Sequence, residues 1–220
     1  MNVLAKSILL LASISLMSAC AIKVGARGSS HGNLDSVFGG IDVGKNAQVG
    51  NVSSVNGGID IDSGATVKKV DTVNGSIELG NNVSIVSAET VNGGIDAGVA
   101  LKVKDSLETV NGGIQVAGES KVGGSIITVN GDIELKDVQV EKNIETVNGD
   151  IELTEGTIIV GNIIVEKSNG WFSSFGGDMP IIKIDASSQV IGEIHLYQQV
   201  ELKISNGAKV GEIKHHFLRE

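Results

Sequence analysis

The stretch TVNGDIEL occupies Thr128–Leu135 and recurs unchanged at Thr146–Leu153. Its kernel, Val-Asn-Gly, begins at Val55, Val73, Val91, Val110, Val129 and Val147, and Val37 opens a degenerate first copy. Successive spacings are 18, 18, 18, 19, 19 and 18 residues. Four residues after each Val stands Ile41, Ile59, Ile77, Ile95, Ile114, Ile133 or Ile151, and two further on Val43, Ile61, Leu79, Ala97, Val116, Leu135 or Leu153. Ser36, Ser54, Thr72, Thr90, Thr109, Thr128 and Thr146 precede the Val. A period this short excludes helical-hairpin repeats, and no helical apolar spacing runs through it. It fits one coil of a parallel β-helix, three short strands joined by bends.

Within a coil, alternation in Gly-Ile-Asp-Ile puts Ile59 and Ile61 inside and Asp60 outside. The reading also turns the Val of Val-Asn-Gly inward, with Val49, Val67, Ile85, Val103, Val122 and Ile159 on another side. Gly39, Gly57, Gly75, Gly93, Gly112, Gly131 and Gly149 mark one bend, where Gly tolerates a positive φ. The Asn before it can pass its amide to the equivalent Asn one coil away, about 4.8 Å along the axis. Neighbouring coils must stack, because a single coil cannot bury its own aliphatic face.

Composition agrees. The chain has 220 residues with 30 Gly, one Pro and six aromatics. That much Gly disfavours helices, the scarcity of Pro and the missing three-residue glycine period exclude collagen, and 41% hydrophobic content disfavours disorder. The formal charge is −9, which argues against nucleic acid as a partner. One cysteine, Cys20, precludes an internal disulfide.

Residues 1–19 have Lys6, then an apolar run from Ile8 to Met17 that is short for a bilayer span. Met17-Ser18-Ala19-Cys20 resembles the lipobox of a bacterial lipoprotein signal. That resemblance implies cleavage before Cys20, acylation of Cys20 and a lipid anchor in the envelope. In a Gram-negative host, Ala21 implies the outer membrane. Residues 20–33 read as a flexible Gly/Ser-rich tether, and 34–213 as the β-helix, about nine coils. A loop carrying Trp171, Phe172 and Phe175 is expected to interrupt it at 168–180, and residues 214–220 form a tail or cap.

The TVNGDIEL repeat resembles bacterial adhesin-like repeat families of unknown function. The Val210–Ile213 and Ile191–Ile194 pieces (VGEI, IGEI) resemble bactofilins, polymer-forming bacterial cytoskeletal proteins. The resemblance covers residues 34–213 and implies an all-β, single-stranded, right-handed, three-sided parallel β-helix, with no catalytic motif to transfer. The rival is the left-handed hexapeptide helix of acyltransferases, also 18 residues per coil; Val55, Ile61, Val67 and Val73 fall six apart. That rival usually needs an active-site His between subunits, and none lies between His31 and His195.

Outward side chains stack into ladders. Asp42, Asp60, Glu78, Asp96, Gln115, Glu134 and Glu152 form one; Asp35, Asp71, Glu89, Glu108 and Glu145 another. Carboxylates one coil apart repel, which either a solvated face or Ca²⁺ on the first ladder relieves. Lys68, Lys104 and Lys142 are the expected counter-charges, and no cofactor is required. The Thr column, read as outward, would make a hydroxyl array like those of ice-binding proteins. Trp171, Phe172 and Phe175 are the candidate contact patch, docked on the rod or meeting a partner or membrane. Enzyme readings have little support. Polysaccharide lyases on β-helices gather basic residues at the site, whereas the chain after Cys20 has only Arg27 and Arg219. His195, His215 and His216 are metal-capable residues read as separate. The expectation is a non-catalytic envelope scaffold or adhesin-like surface that meets a protein or glycan. The alternatives are a subunit that stacks end to end and, more weakly, a polysaccharide-active enzyme.

Overall fold

The computed structural model describes residues 22–25, 30–168 and 179–217. Cys20 and the aromatic trio Trp171, Phe172 and Phe175 lie outside the described residues. The described chain is all β: three parallel sheets of ten strands each, wound as a three-sided solenoid. Each strand between the outermost ones pairs with the strand one coil before and one coil after it, so each sheet takes every third strand of the chain.

Register follows the repeat. In the first sheet Ile41, Ile59, Ile77, Ile95, Ile114, Ile133 and Ile151 are successive partners. The column then passes to Ile182, a jump of 31 residues that falls at the expected inserted loop, and on to Leu202. Val49 and Val67 pair in the second sheet, as do Ile85, Val103 and Val122. The Ile column and most of its neighbours are fully buried in one continuous aliphatic core.

The third sheet corrects the inward assignment. Its strand Val52–Asn56 buries Val52 and Ser54 and leaves Val55 half-exposed. Val52 and Val55 are an odd number of residues apart, so a pleated strand cannot turn both inward. Val70, Ala88, Leu107, Ile126 and Ile144 hold the Val52 position in later coils. Consequently Ser54, Thr72, Thr90, Thr109, Thr128 and Thr146 are buried, and the Val column lies on the outer face. An outward hydroxyl array is therefore ruled out. The Thr hydroxyls close the bend from inside: Thr72, Thr90, Thr109 and Thr128 donate to the carbonyls of Gly57, Gly75, Gly93 and Gly112 at 2.9–3.1 Å.

Three members of the glycine column take the expected positive φ, Gly39 at 107°, Gly131 at 157° and Gly149 at 158°, and the other four have a different reason. Gly57, Gly75, Gly93 and Gly112 do not have positive φ. They are close-approach positions, since a Cβ on Gly93 would lie 2.1 Å from the Gly75 carbonyl oxygen of the coil below. At the next bend left-handed backbone recurs in every coil from Asn46 to Glu155, at Asn46, Gly64, Asn82, Ala100, Glu119, Asp137 and Glu155, with φ between 51° and 77°.

Both ends extend past the expected limits. Ile22–Val24 pairs with Ile41–Val43, and Ser30–His31 with Gln48–Val49. These parts of the 20–33 segment are thus sheet, not tether, because Ile22 and Val24 continue the inward columns of the first sheet. At the other end Lys214 and His215 belong to the last strand, Ile213–His215, and Phe217 packs against the core.

Candidate functional site

The first sheet displays the expected ladder in register: Asp42, Asp60, Glu78, Asp96, Gln115, Glu134 and Glu152 are successive partners. Asp60, Glu78, Asp96, Gln115, Glu134 and Lys136 help line a shallow, open groove of about 360 Å³. Burial pushes Asp60 upward, and the nearby Asp62 and Asp42 carboxylates add to it, against the pull of Lys23. The ladder's direct ion pairs form at its two ends. Lys23 lies 3.2 Å from Asp42, and Lys183 bonds Glu152 at 2.5 Å. The expected counter-ions Lys68, Lys104 and Lys142 stand instead just after the second-sheet strands ending at Val67, Val103 and Val140, away from this ladder. Lys183 is itself the next member of the column, so the ladder changes sign there.

The third sheet carries the second acidic ladder. Asp71, Glu89 and Glu108 are register partners on adjacent strands. Burial raises Glu89 from 4.5 to about 7, helped by the Glu108 and Asp71 charges and opposed by Lys69. Asp71 is raised by burial as well, again against Lys69. This row lies beside the half-exposed Val column, whose apolar side chains remove water from around the carboxylates.

Beside both runs the asparagine ladder that the sequence anticipates. Asn74, Asn92, Asn111, Asn130 and Asn148 each donate a side-chain amide hydrogen to the preceding Asn oxygen at 2.9–3.0 Å. Phe38 holds the Asn position in the first coil, so Asn56 donates to the Val37 carbonyl instead.

The histidines separated in sequence do not all stay apart. His195 Nδ1 and His216 Nε2 are 3.0 Å apart, and Tyr197 stacks on His216 with ring centroids 4.4 Å apart. His195 Nε2 lies 3.1 Å from a Glu193 oxygen, and Lys214 holds the other Glu193 oxygen at 2.7 Å. That hydrogen bond from Lys214 keeps Glu193 below the usual carboxylate range. His215 points away and meets Phe217 edge-on. Sequence reasoning missed this cluster, because it depends on how the last coils register after the insertion. Among the described residues no three His, Cys, Asp or Glu side chains converge as a metal-binding group. No protein-family model, curated protein or solved structure matches the chain.

Proposed function

We propose that this protein is a membrane-tethered lipoprotein of the bacterial envelope whose solenoid is a non-catalytic scaffold with an adhesin-like binding surface. The observation that carries the reading is the display of like side chains in columns over successive coils: mostly acids on the first sheet, Asp71, Glu89 and Glu108 beside the Val column on the third, and Asn at the bend between them. A repeating face suits an extended partner, an envelope glycan or protein, because each coil can offer the same contact again. The anchor rests on the sequence around Cys20. Radioactive fatty acid incorporated into the wild-type protein and absent after Cys20→Ala supports it; equal labelling of the variant removes it. In a Gram-negative host the label fractionates with the outer membrane.

The non-catalytic reading is tested by incubation with envelope glycans: binding without release of soluble products supports it, and released products point to a polysaccharide-active enzyme. Calorimetry at millimolar Ca²⁺ decides whether Asp42, Asp60, Glu78, Asp96, Glu134 and Glu152 act as a cation face or as a solvated one.

A second reading, end-to-end self-assembly, draws on the last coil. Leu202, Ile204, Val210 and Ile213 continue the inward columns yet are only partly buried, and the strands that carry them are outermost in their sheets. Sedimentation over a concentration series separates the two, since the scaffold reading expects monomers throughout.

A further inference from the structure

We infer that His195 and His216 form a two-histidine site for a divalent transition metal of the Cu(II) or Ni(II) type, with solvent completing the coordination. The two ring nitrogens approach to 3.0 Å across adjacent coils of the third sheet. Imidazole nitrogens suit Cu, Ni and Zn, and at such donors the affinity of divalent first-row metals peaks at Cu(II).

The surroundings fit a ligand pair. Glu193 lies 3.1 Å from His195 Nε2, where it accepts that N–H and leaves the Nδ1 lone pair facing His216. A carboxylate on the far nitrogen of a ligating His fixes its tautomer and raises its basicity. Lys214 is the nearby cation that would oppose a metal, and its charge is spent on Glu193 at 2.7 Å and Glu212 at 3.6 Å. Tyr197 lies flat against His216, 14° from parallel, and covers one face of that ring.

In the metal-free pair, His216 Nε2–H donates to His195 Nδ1. The rings are nearly coplanar, at 14°, so an ion enters only as both tip toward a common apex. His216 directly follows the last strand, Ile213–His215, and its backbone N–H donates to the Leu196 carbonyl at 2.8 Å, so the tipping is a motion of the side chain. On binding, the shared proton moves through solvent to His216 Nδ1. Both imidazoles stay neutral, and no net proton is released.

Titration of the purified full-length protein with Cu(II), read by electron paramagnetic resonance and by competition with a weak chelator, tests the site. The expected result is one high-affinity ion whose spectrum reports two imidazole nitrogens. His195→Ala and His216→Ala each weaken binding at least about tenfold, and Glu193→Gln weakens it about tenfold or more. His31→Ala and His215→Ala leave it unchanged, and Ca²⁺ does not displace the metal. A spectrum with fewer than two imidazole nitrogens in the wild-type protein overturns the inference, as does undiminished affinity in either ligand variant. Should an alanine variant lose its β-sheet dichroism, the nitrogen count on wild-type protein still decides.

Discussion

Thr90→Val and Thr146→Val make the same change in the same column and are expected to have opposite effects. Both side chains are buried, at 0% and 1% exposure. Thr90 Oγ1 donates to the Gly75 carbonyl at 2.9 Å, so valine at that position removes the bond and leaves a bend carbonyl short of a donor. A typical hydrogen bond is worth about 1 kcal/mol net, and an unsatisfied buried group costs about 1–3 kcal/mol. Part of this is offset because a methyl group suits the aliphatic interior better than a hydroxyl. Thr90→Val should therefore destabilise by about 1–2 kcal/mol. Thr146 Oγ1 is buried with no partner among the described residues. In the next two coils its column continues as Val165 and Leu196. Thr146→Val removes an unpaired polar group and adds apolar contact with Val165, so it should stabilise by about 1 kcal/mol. The two variants are expected to differ by about 2–3 kcal/mol. Urea unfolding followed by far-ultraviolet circular dichroism measures each difference from the shift in midpoint at unchanged slope. Equal destabilisation by both would refute the idea that the inward Thr is retained for its bond to the bend.

Other expectations follow from the same geometry. Glu89 titrates near 7 in the fold against 4.5 unperturbed, so the folded state holds a proton that the unfolded chain has released between those values. Its contribution to stability is complete below about pH 4.5 and is lost as pH rises through about 7. Glu89→Gln should accordingly gain about 1–3 kcal/mol over wild type at pH 8 and little at pH 4, after allowance for solvent screening; a pH-independent difference in unfolding midpoint would contradict this. Gly93→Ala drives a Cβ to 2.1 Å from the Gly75 oxygen, whereas at Gly58 the nearest atom is 3.3 Å away. Gly93→Ala should cost about 3 kcal/mol or more and Gly58→Ala about 1 kcal/mol or less, in the same unfolding assay. Ala100 holds φ at 58°, so Ala100→Gly should stabilise by up to about 1 kcal/mol, and a loss on that substitution would count against a strained bend.

Coil length, parallel pairing and most columns were legible in the repeat, because each coil buries its side chains only against equivalent positions of its neighbours. Ile59, Ile77 and Ile95 had to stack, and with them the Asp60, Glu78 and Asp96 ladder and the Asn74, Asn92 and Asn111 ladder. Tertiary structure alone decided the phase of the third sheet. A strand reading Val-Ser-Ser-Val offers an apolar residue to either face. Val52 takes the inside, and the bend after Asn56 resets the alternation before Ile59. It also decided where the backbone turns left-handed, since Ala100, Glu119 and Glu155 give no turn signal of their own. The meeting of His195 with His216 was likewise hidden, because it depends on the 31-residue jump from Ile151 to Ile182 and on the 20-residue offset from Ile182 to Leu202 in the coil after it. Local alternation specifies which residues can face inward together. Only the packed stack of coils fixes which of the two faces is the inside, and which distant side chains share the outside.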